Sequence, residues 1–258
     1  GELPGIPVVE SFGINDKPLR GTIRQTYDYA KAQLDKALAL NPTDPKYLFT
    51  EWIIKAYKTK LEFWCQNWDS VVSLCEDIIA SGEFSLVPRF RDLWPASADD
   101  KSGDHVGLWA HENSSWAGPG NPETILSMKF NYTADYNGNN DGNRFQVMIG
   151  MRTGSLVYEG YGQGWGACTV TPSIASAYAT GDTRRSASII DASQLKDYEN
   201  TYLADQREYT GYFVKKYTPL SKHETAGDGK LQHYTETVGA GDFQISQFQD
   251  WVLVRYAD

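Results

Sequence analysis

The residue types that catalyse or ligate are sparse here and poorly spaced for it. His105, His111, His223 and His233 are the four histidines, and their spacing matches no zinc site. His111-Glu112 runs into Asn113-Ser114-Ser115 instead of reaching a second histidine one helical turn on, so the metalloprotease pattern is absent. Ser193-Gln194-Leu195-Lys196 matches S-x-x-K but has no S-D-N or K-T-G partner to complete a β-lactamase-type site. Asn137-x-Asn139-x-Asp141-Gly142 copies the first half of a calcium loop, yet Met148 stands where the bidentate glutamate belongs, and a turn is the better reading. Gly160-Tyr161-Gly162-Gln163-Gly164-Trp165-Gly166 is glycine-rich without the G-x-G-x-x-G order, a preceding strand or a basic residue, which argues against a phosphate cradle. Glu112, Asp135 and Asp141 lie near aromatic residues, and spacing alone does not exclude a glycosidase pair among them.

The remaining constellation is one of rings and amides. Trp109, Trp116, Tyr132, Tyr136, Tyr158, Tyr161 and Trp165 alternate with Asn137, Asn139, Asn143 and Arg144. An aromatic face takes the apolar side of a pyranose, and amides with arginine bind its hydroxyls. The competing reading buries the same rings under the loops. Tyr161 and Trp165 lean toward exposure, because flanking glycines bring no side chains to pack a ring and let a ligand approach the backbone. The expected ligand-binding set is Trp165, Tyr161, Tyr158, Tyr136, Asn143 and Arg144, with no catalytic residue, cofactor or metal.

These residues need a scaffold, and the apolar periodicity supplies a helical one. Ile23, Tyr27, Ala30, Leu34, Ala37 and Leu38 recur at helical spacing, giving a helix over 22–40 that Thr22 caps and Asn41-Pro42 stops. Asp44-Pro45 offers an N-cap and first-turn proline for a second helix over about 45–65. A break at Gln66-Asn67 leads to a third helix over about 68–81, with Gly82 at the left-handed position that ends it. Two amphipathic helices joined by so short a loop make a hairpin of tetratricopeptide length, a unit that ordinarily stacks on others. Beyond Pro88 the texture turns to glycine, asparagine, serine and aromatics, with short strands expected at 125–130 and 212–217 and a helix start at Pro172. Trp251 to Tyr256 reads as apolar entry into an element the sequence does not finish. Long ordered loops on a helical base are usually functional.

Composition narrows the partners. The 258 residues carry 24 basic and 33 acidic side chains, a net charge of −9 with no polybasic run, so nucleic acid and anionic membrane surfaces are not expected partners. Aromatics make up 13% of a chain only 41% hydrophobic, more rings than a balanced core absorbs. No run approaches the roughly 18 apolar residues of a membrane span. Cys65, Cys75 and Cys168 form no C-x-x-C, and the first two are expected to be plain core residues rather than a bridge.

Five pieces of the chain, in order, resemble the SusD-like family, also called RagB/SusD, of surface nutrient-binding lipoproteins. Ile78-Ile79-Ala80-Ser81-Gly82-Glu83-Phe84-Ser85-Leu86 is similar to that family's "vIasGeYsL", and Pro122 to Phe130 to its "pEsIfeiqf" strand. Pro172, Tyr178 and Gly181-Asp182-Thr183-Arg184-Arg185 are similar to "P…Y…gDpRr", with Thr183 in place of proline. Tyr212 to Tyr217 is similar to "y…kKy", and Val254-Arg255-Tyr256-Ala257-Asp258 to "lRyAD". The resemblance implies a mainly α fold, tetratricopeptide-like hairpins with a loop-rich insertion containing a few short strands. It implies one domain over 1–258, incomplete at both ends, with the helices over 22–87 and a ligand-binding region over 88–258. It further implies non-catalytic capture of oligosaccharides or polysaccharides, or sometimes peptides, on the extracellular face of the outer membrane. Delivery to a SusC-like TonB-dependent transporter follows, with membrane contact only through a lipid anchor this chain lacks. The family's ligand contacts vary and carry no motif, so the site residues above rest on composition and position alone. A glycoside hydrolase and a tetratricopeptide-type protein-binding adaptor remain the alternatives.

Overall fold

The computed structural model describes residues 5–9, 13, 17–40, 49–98, 115–118, 120–130, 143–151, 164–195, 210–218 and 249–258. They fall into two compact units. One comprises Gly1–Ser85, Pro122–Leu126 and Val254–Asp258; the other comprises Leu86–Asn121 and Ser127–Leu253.

The first unit is built on three helices, α1 (Ile23–Ala39), α2 (Glu51–Trp64) and α3 (Trp68–Ser81), with α2 packed against both others. Thr22 caps α1 in a full capping box, its Oγ1 accepting from the Gln25 amide at 3.1 Å while Gln25 Oε1 accepts from the Thr22 amide at 2.8 Å. The expected Asp44-Pro45 start lies outside the described residues, and α2 opens six residues later, on Thr50, whose hydroxyl accepts from the Ile53 amide. The break falls at Cys65 to Asn67, with Gln66 at φ 60°, and Gly82 closes α3 at φ 69°.

Asn67 makes no cap bond to α3. Its amide instead donates to Glu62 Oε2 at 2.6 Å and to the Tyr27 hydroxyl at 3.1 Å, while that hydroxyl donates to Glu62 at 2.9 Å. Glu62 is 1% exposed, so these donors offset the desolvation of a buried acid and tie all three helices together. Asp35 of α1 takes Lys31 and, across the interface, Lys58 of α2 at 2.5 Å, and the two ammonium groups hold its carboxyl below the usual range. α1 itself buries no residue, and Phe63, Trp64 and Trp68 stand exposed in edge-to-face contact at the α2–α3 turn. Cys65 and Cys75, expected in the core, are half-buried free thiols, because this thin layer of helices has little interior.

Three of the five motif pieces meet in this unit. Ser85 donates to the Pro122 carbonyl, Tyr256 to the Glu123 carbonyl, and Phe84 stacks on Tyr256 at 6.4 Å. Arg255 joins Glu123, 3% exposed, at 3.1 Å and Asp258 at 2.8 Å. These motif residues hold the three pieces together through backbone bonds, a ring stack and an ion pair on the buried Glu123.

The second unit holds three six-residue helices, α4 (Arg144–Ile149), α5 (Pro172–Ala177) and α6 (Thr183–Ser188), and the antiparallel pair β2 (Ile189–Asp191) and β3 (Tyr212–Val214). Their register sets Ile190 opposite Phe213. Phe213 and Met151 are fully buried and pack with Ile190, Ala192 and Leu195. Strands β1 (Thr124–Met128) and β4 (Trp251–Arg255) form a second two-stranded sheet. The apolar stretch from Trp251, read as entry into an unfinished element, is thus a strand over Trp251–Arg255 paired with β1.

Ser193 of the S-x-x-K match serves the backbone. Its amide and hydroxyl both donate to Asp191 Oδ1, at 3.1 and 2.6 Å, which seats the single turn over Ala192–Gln194. No helix among the described residues is long and apolar enough to cross a membrane.

Candidate functional site

The ring that sequence singles out most sharply sits on a short, heavily braced helix. Asn143 caps α4 through Oδ1, which accepts from the Gln146 amide at 3.2 Å, and its Nδ2 donates to the Gln249 carbonyl at 2.7 Å. Gln146 Nε2 adds a bond to Gln249 Oε1 at 3.1 Å. The inner face of α4 is therefore an amide cluster, with Asn143, Gln146 and Val147 all at zero exposure. Its outer face carries Arg144, Phe145 and Met148 exposed.

Residues 164–167 are laced onto the end of this helix by backbone bonds alone. Gly164 donates to Met151, Trp165 to Val147, Gly166 to Gly150 and Ala167 to Met148, all at 2.7–2.8 Å. The seam is so close that a Cβ on Gly164 would lie 2.5 Å from the carbonyl carbon of Gly150, and Gly166 adopts φ 63°. Both glycines are required by the backbone here. Trp165 stands between them with 37% of its surface exposed while its neighbours are buried. An indole whose main chain is fixed on both sides is a preorganised platform, ordered before any ligand arrives.

A ladder of rings starts at the helix. Phe145 lies 5.1 Å from Trp251, Trp251 stacks on Tyr217 at 4.4 Å, Tyr217 meets Trp94 edge-on at 5.1 Å, and Trp94 reaches Phe90 at 6.4 Å. The Tyr217 hydroxyl accepts from the Val252 amide at 3.1 Å, so its polar end is satisfied. Leu93, Trp94 and Tyr217 are buried, and these aromatics form the core under the site.

Of the expected set, then, Trp165 and Arg144 are exposed, on the seam and on the helix it binds. Asn143 has the opposite placement: with both ends of its amide committed inside the protein it is a helix cap, with no face for a ligand, and it leaves the set. Tyr136, Tyr158 and Tyr161 lie outside the described residues, as does the half calcium loop over 137–142. Sequence reasoning misses Phe145 and Met148. They sit beside Arg144 on a helix of fewer than two turns, too short for its periodicity to register.

Bonded cations hold the carboxyls of Asp35 and Asp182 below the usual carboxylate range. Three or more clustered His, Cys, Asp or Glu groups able to hold a metal are absent among the described residues.

No family model and no curated protein matches this sequence. Solved structures do match it in fold. The surface glycan-binding protein A from Bacteroides thetaiotaomicron, in complex with laminarihexaose, superposes with a TM-score of 0.63 at 18% identity over 92% of this chain and 48% of its own. A laminarin-binding SusD-like protein gives 0.66 at 17% identity, over 98% of this chain and 52% of its own. The glycan-binding protein A from Bacteroides fluxus gives 0.65 at 17% identity, over 99% and 48%. The chain thus spans about half the length of the solved structures it matches. It has the helix-rich SusD-like fold expected from its five motifs.

Proposed function

We propose that this chain, with its SusD-like fold, belongs to a surface protein that captures oligosaccharides or polysaccharides without cleaving them and passes them to a SusC-like TonB-dependent transporter of the outer membrane, where a lipid anchor holds it. The observation that carries the reading is Trp165, a half-exposed indole fixed between two obligatory glycines and accompanied by exposed Phe145 and Arg144. Stacked indole supplies flat apolar area at little entropic cost, and the guanidinium supplies donors for hydroxyl oxygens. Neighbours of the same fold that carry glycan-binding names support the class of ligand.

The test is affinity electrophoresis and calorimetry against β-glucan, xylan, mannan and pectin, with reducing ends measured in the same tubes. Retardation by one glycan, no new reducing ends and a 10- to 100-fold loss in Trp165→Ala support capture through this ring. Accumulating reducing ends overturn the non-catalytic part, and wild-type binding that Trp165→Ala leaves intact overturns the site. Co-isolation of the full-length protein with a SusC-like transporter tests the delivery step.

A further inference from the structure

Two motif pieces that the Trp165 platform does not use close a separate cleft. The Pro172 to Arg185 piece contributes Ile174, Tyr178, Asp182 and Arg184 to its lining and the Tyr212 to Tyr217 piece Lys216, together with Phe90. The cleft encloses about 570 Å³, within the range of small-ligand pockets. It lies at the far end of the ring ladder, four ring contacts from Phe145.

Its walls divide by chemistry. Phe90, Tyr178 and Ile174 supply apolar surface, and Ile174 is 54% exposed on a helix that buries its neighbour Ala175. The charged residues of the lining are held in place. Asp182 caps α6 by accepting from the Arg184 amide at 2.9 Å, and the same carboxylate grips the Arg184 side chain through Nε at 2.9 and 3.1 Å and Nη2 at 2.6 Å. Those bonds hold the Asp182 carboxyl at about 2, so the clamp stays ionised at any physiological pH. They leave Nη1 open among the described residues. The Lys216 ammonium is positioned 4.9 Å from the Phe90 ring centre and 5.4 Å from that of Trp94. Apolar surface together with a prearranged guanidinium donor fits a flat ring with one apolar face and a rim of acceptor oxygens.

We infer that this cleft is a second saccharide-binding site, taking a pyranose unit with its apolar side toward Tyr178 and Ile174 and its acceptor oxygens toward Arg184. The inference rests on the glycan reading given above. The acceptors can be hydroxyls of a neutral sugar or the carboxylate of a uronate, and salt separates them, because charge-assisted binding weakens as ionic strength rises.

The experiment is calorimetry of the intact chain with laminarihexaose and with a hexameric oligogalacturonate, at low and high salt. Variants are Ile174→Trp, which fills the cleft from an exposed position, and Arg184→Ala, which removes a side chain 64% exposed. Neither touches the core, and matched melting curves verify that. The expected result is two sites in the wild type, one site in Ile174→Trp, a loss of fivefold or more at one site in Arg184→Ala, and retention of the cleft site in Trp165→Ala. A salt-sensitive oligogalacturonate site identifies a uronate, and a salt-insensitive laminarihexaose site a neutral sugar. If Ile174→Trp and Arg184→Ala bind as wild type while Trp165→Ala does not, the cleft is no binding site and the first reading stands. If no glycan binds the wild type, both fall.

Discussion

Substituting Gly164 by alanine tests whether the Trp165 seam is as close as it looks. The new methyl would sit 2.5 Å from the Gly150 carbonyl carbon and 2.6 Å from its Cα and oxygen, about 0.9 Å inside ordinary contact at 3.4 Å. All three are backbone atoms that no rotamer change moves aside. Relief must come from parting the seam, which stretches the bonds from Gly164, Trp165, Gly166 and Ala167 beyond useful range. Overpacking costs about 1–3 kcal/mol, and each lost backbone bond adds about 1 kcal/mol. A total near 3 kcal/mol corresponds to a melting temperature about 6–12 °C lower in a chain of this size. Gly120→Ala is the control, with nothing within 4 Å of the methyl it would gain and no left-handed φ. Both variants are melted in calorimetry and titrated with the glycan that retards the wild type. Gly164→Ala should melt low and bind weakly, Gly120→Ala like the wild type. A Gly164→Ala protein that melts within about 1 °C of the wild type and binds unchanged would refute the claim that this glycine holds the indole in place.

The other expectations concern the scaffold and its charges. Tyr27→Phe removes one of the two donors to the buried Glu62 and should cost about 2 kcal/mol in urea unfolding, in line with bonds to charged acceptors. Burial and the Glu62 bond raise the Tyr27 hydroxyl above its ordinary value, so its contribution is complete below pH 10 and lost as pH climbs through the raised value; Tyr27→Phe should flatten that alkaline decline. Arg255→Ala removes one ion-pair partner of the buried Glu123 and should cost up to about 3 kcal/mol, part of which Glu123→Gln in the same chain restores. Asp182, lowered from 3.8 to about 2, stabilises the fold fully above pH 3.8 and progressively less toward pH 2, and a carboxyl NMR titration with a midpoint above 3.5 would show that the Arg184 clamp does not form in solution.

What is legible in the sequence follows from length. The three long helices announce themselves because 14 to 17 residues give an amphipathic pattern about four turns or more to repeat. Their ends are readable where one signal stands alone, as at Thr22 and Gly82. They mislead where two compete: Asp44-Pro45 and Thr50 both invite a helix start, and Thr50 opens α2. The helices α4 and α6 are six residues each, and nothing in a span that short separates a helix from a turn. β2 is three residues long and takes its place from pairing with β3, more than twenty positions away.

The site shows the same division at the scale of single residues. In sequence, the glycines around Trp165 suggest a ring left unpacked; they serve instead to let two backbones touch, and the exposure of the ring is the consequence. The outcome is the same because a main chain pressed against a helix end has its side chain directed away from the contact. Asn143 has the composition of a ligand contact, but asparagine ahead of a short helix is equally a cap, and only the three-dimensional position of Gln249 decides between them. The same physics accounts for the cleft. Asp182 and Arg184 are two residues apart in the chain and look like one more exposed ion pair, worth little by itself. Lys216 is 32 positions further on, and only the pairing of β3 with β2, directly after α6, brings it to the same opening. A pair of charges that sequence can see becomes a directed donor through a strand register that sequence cannot.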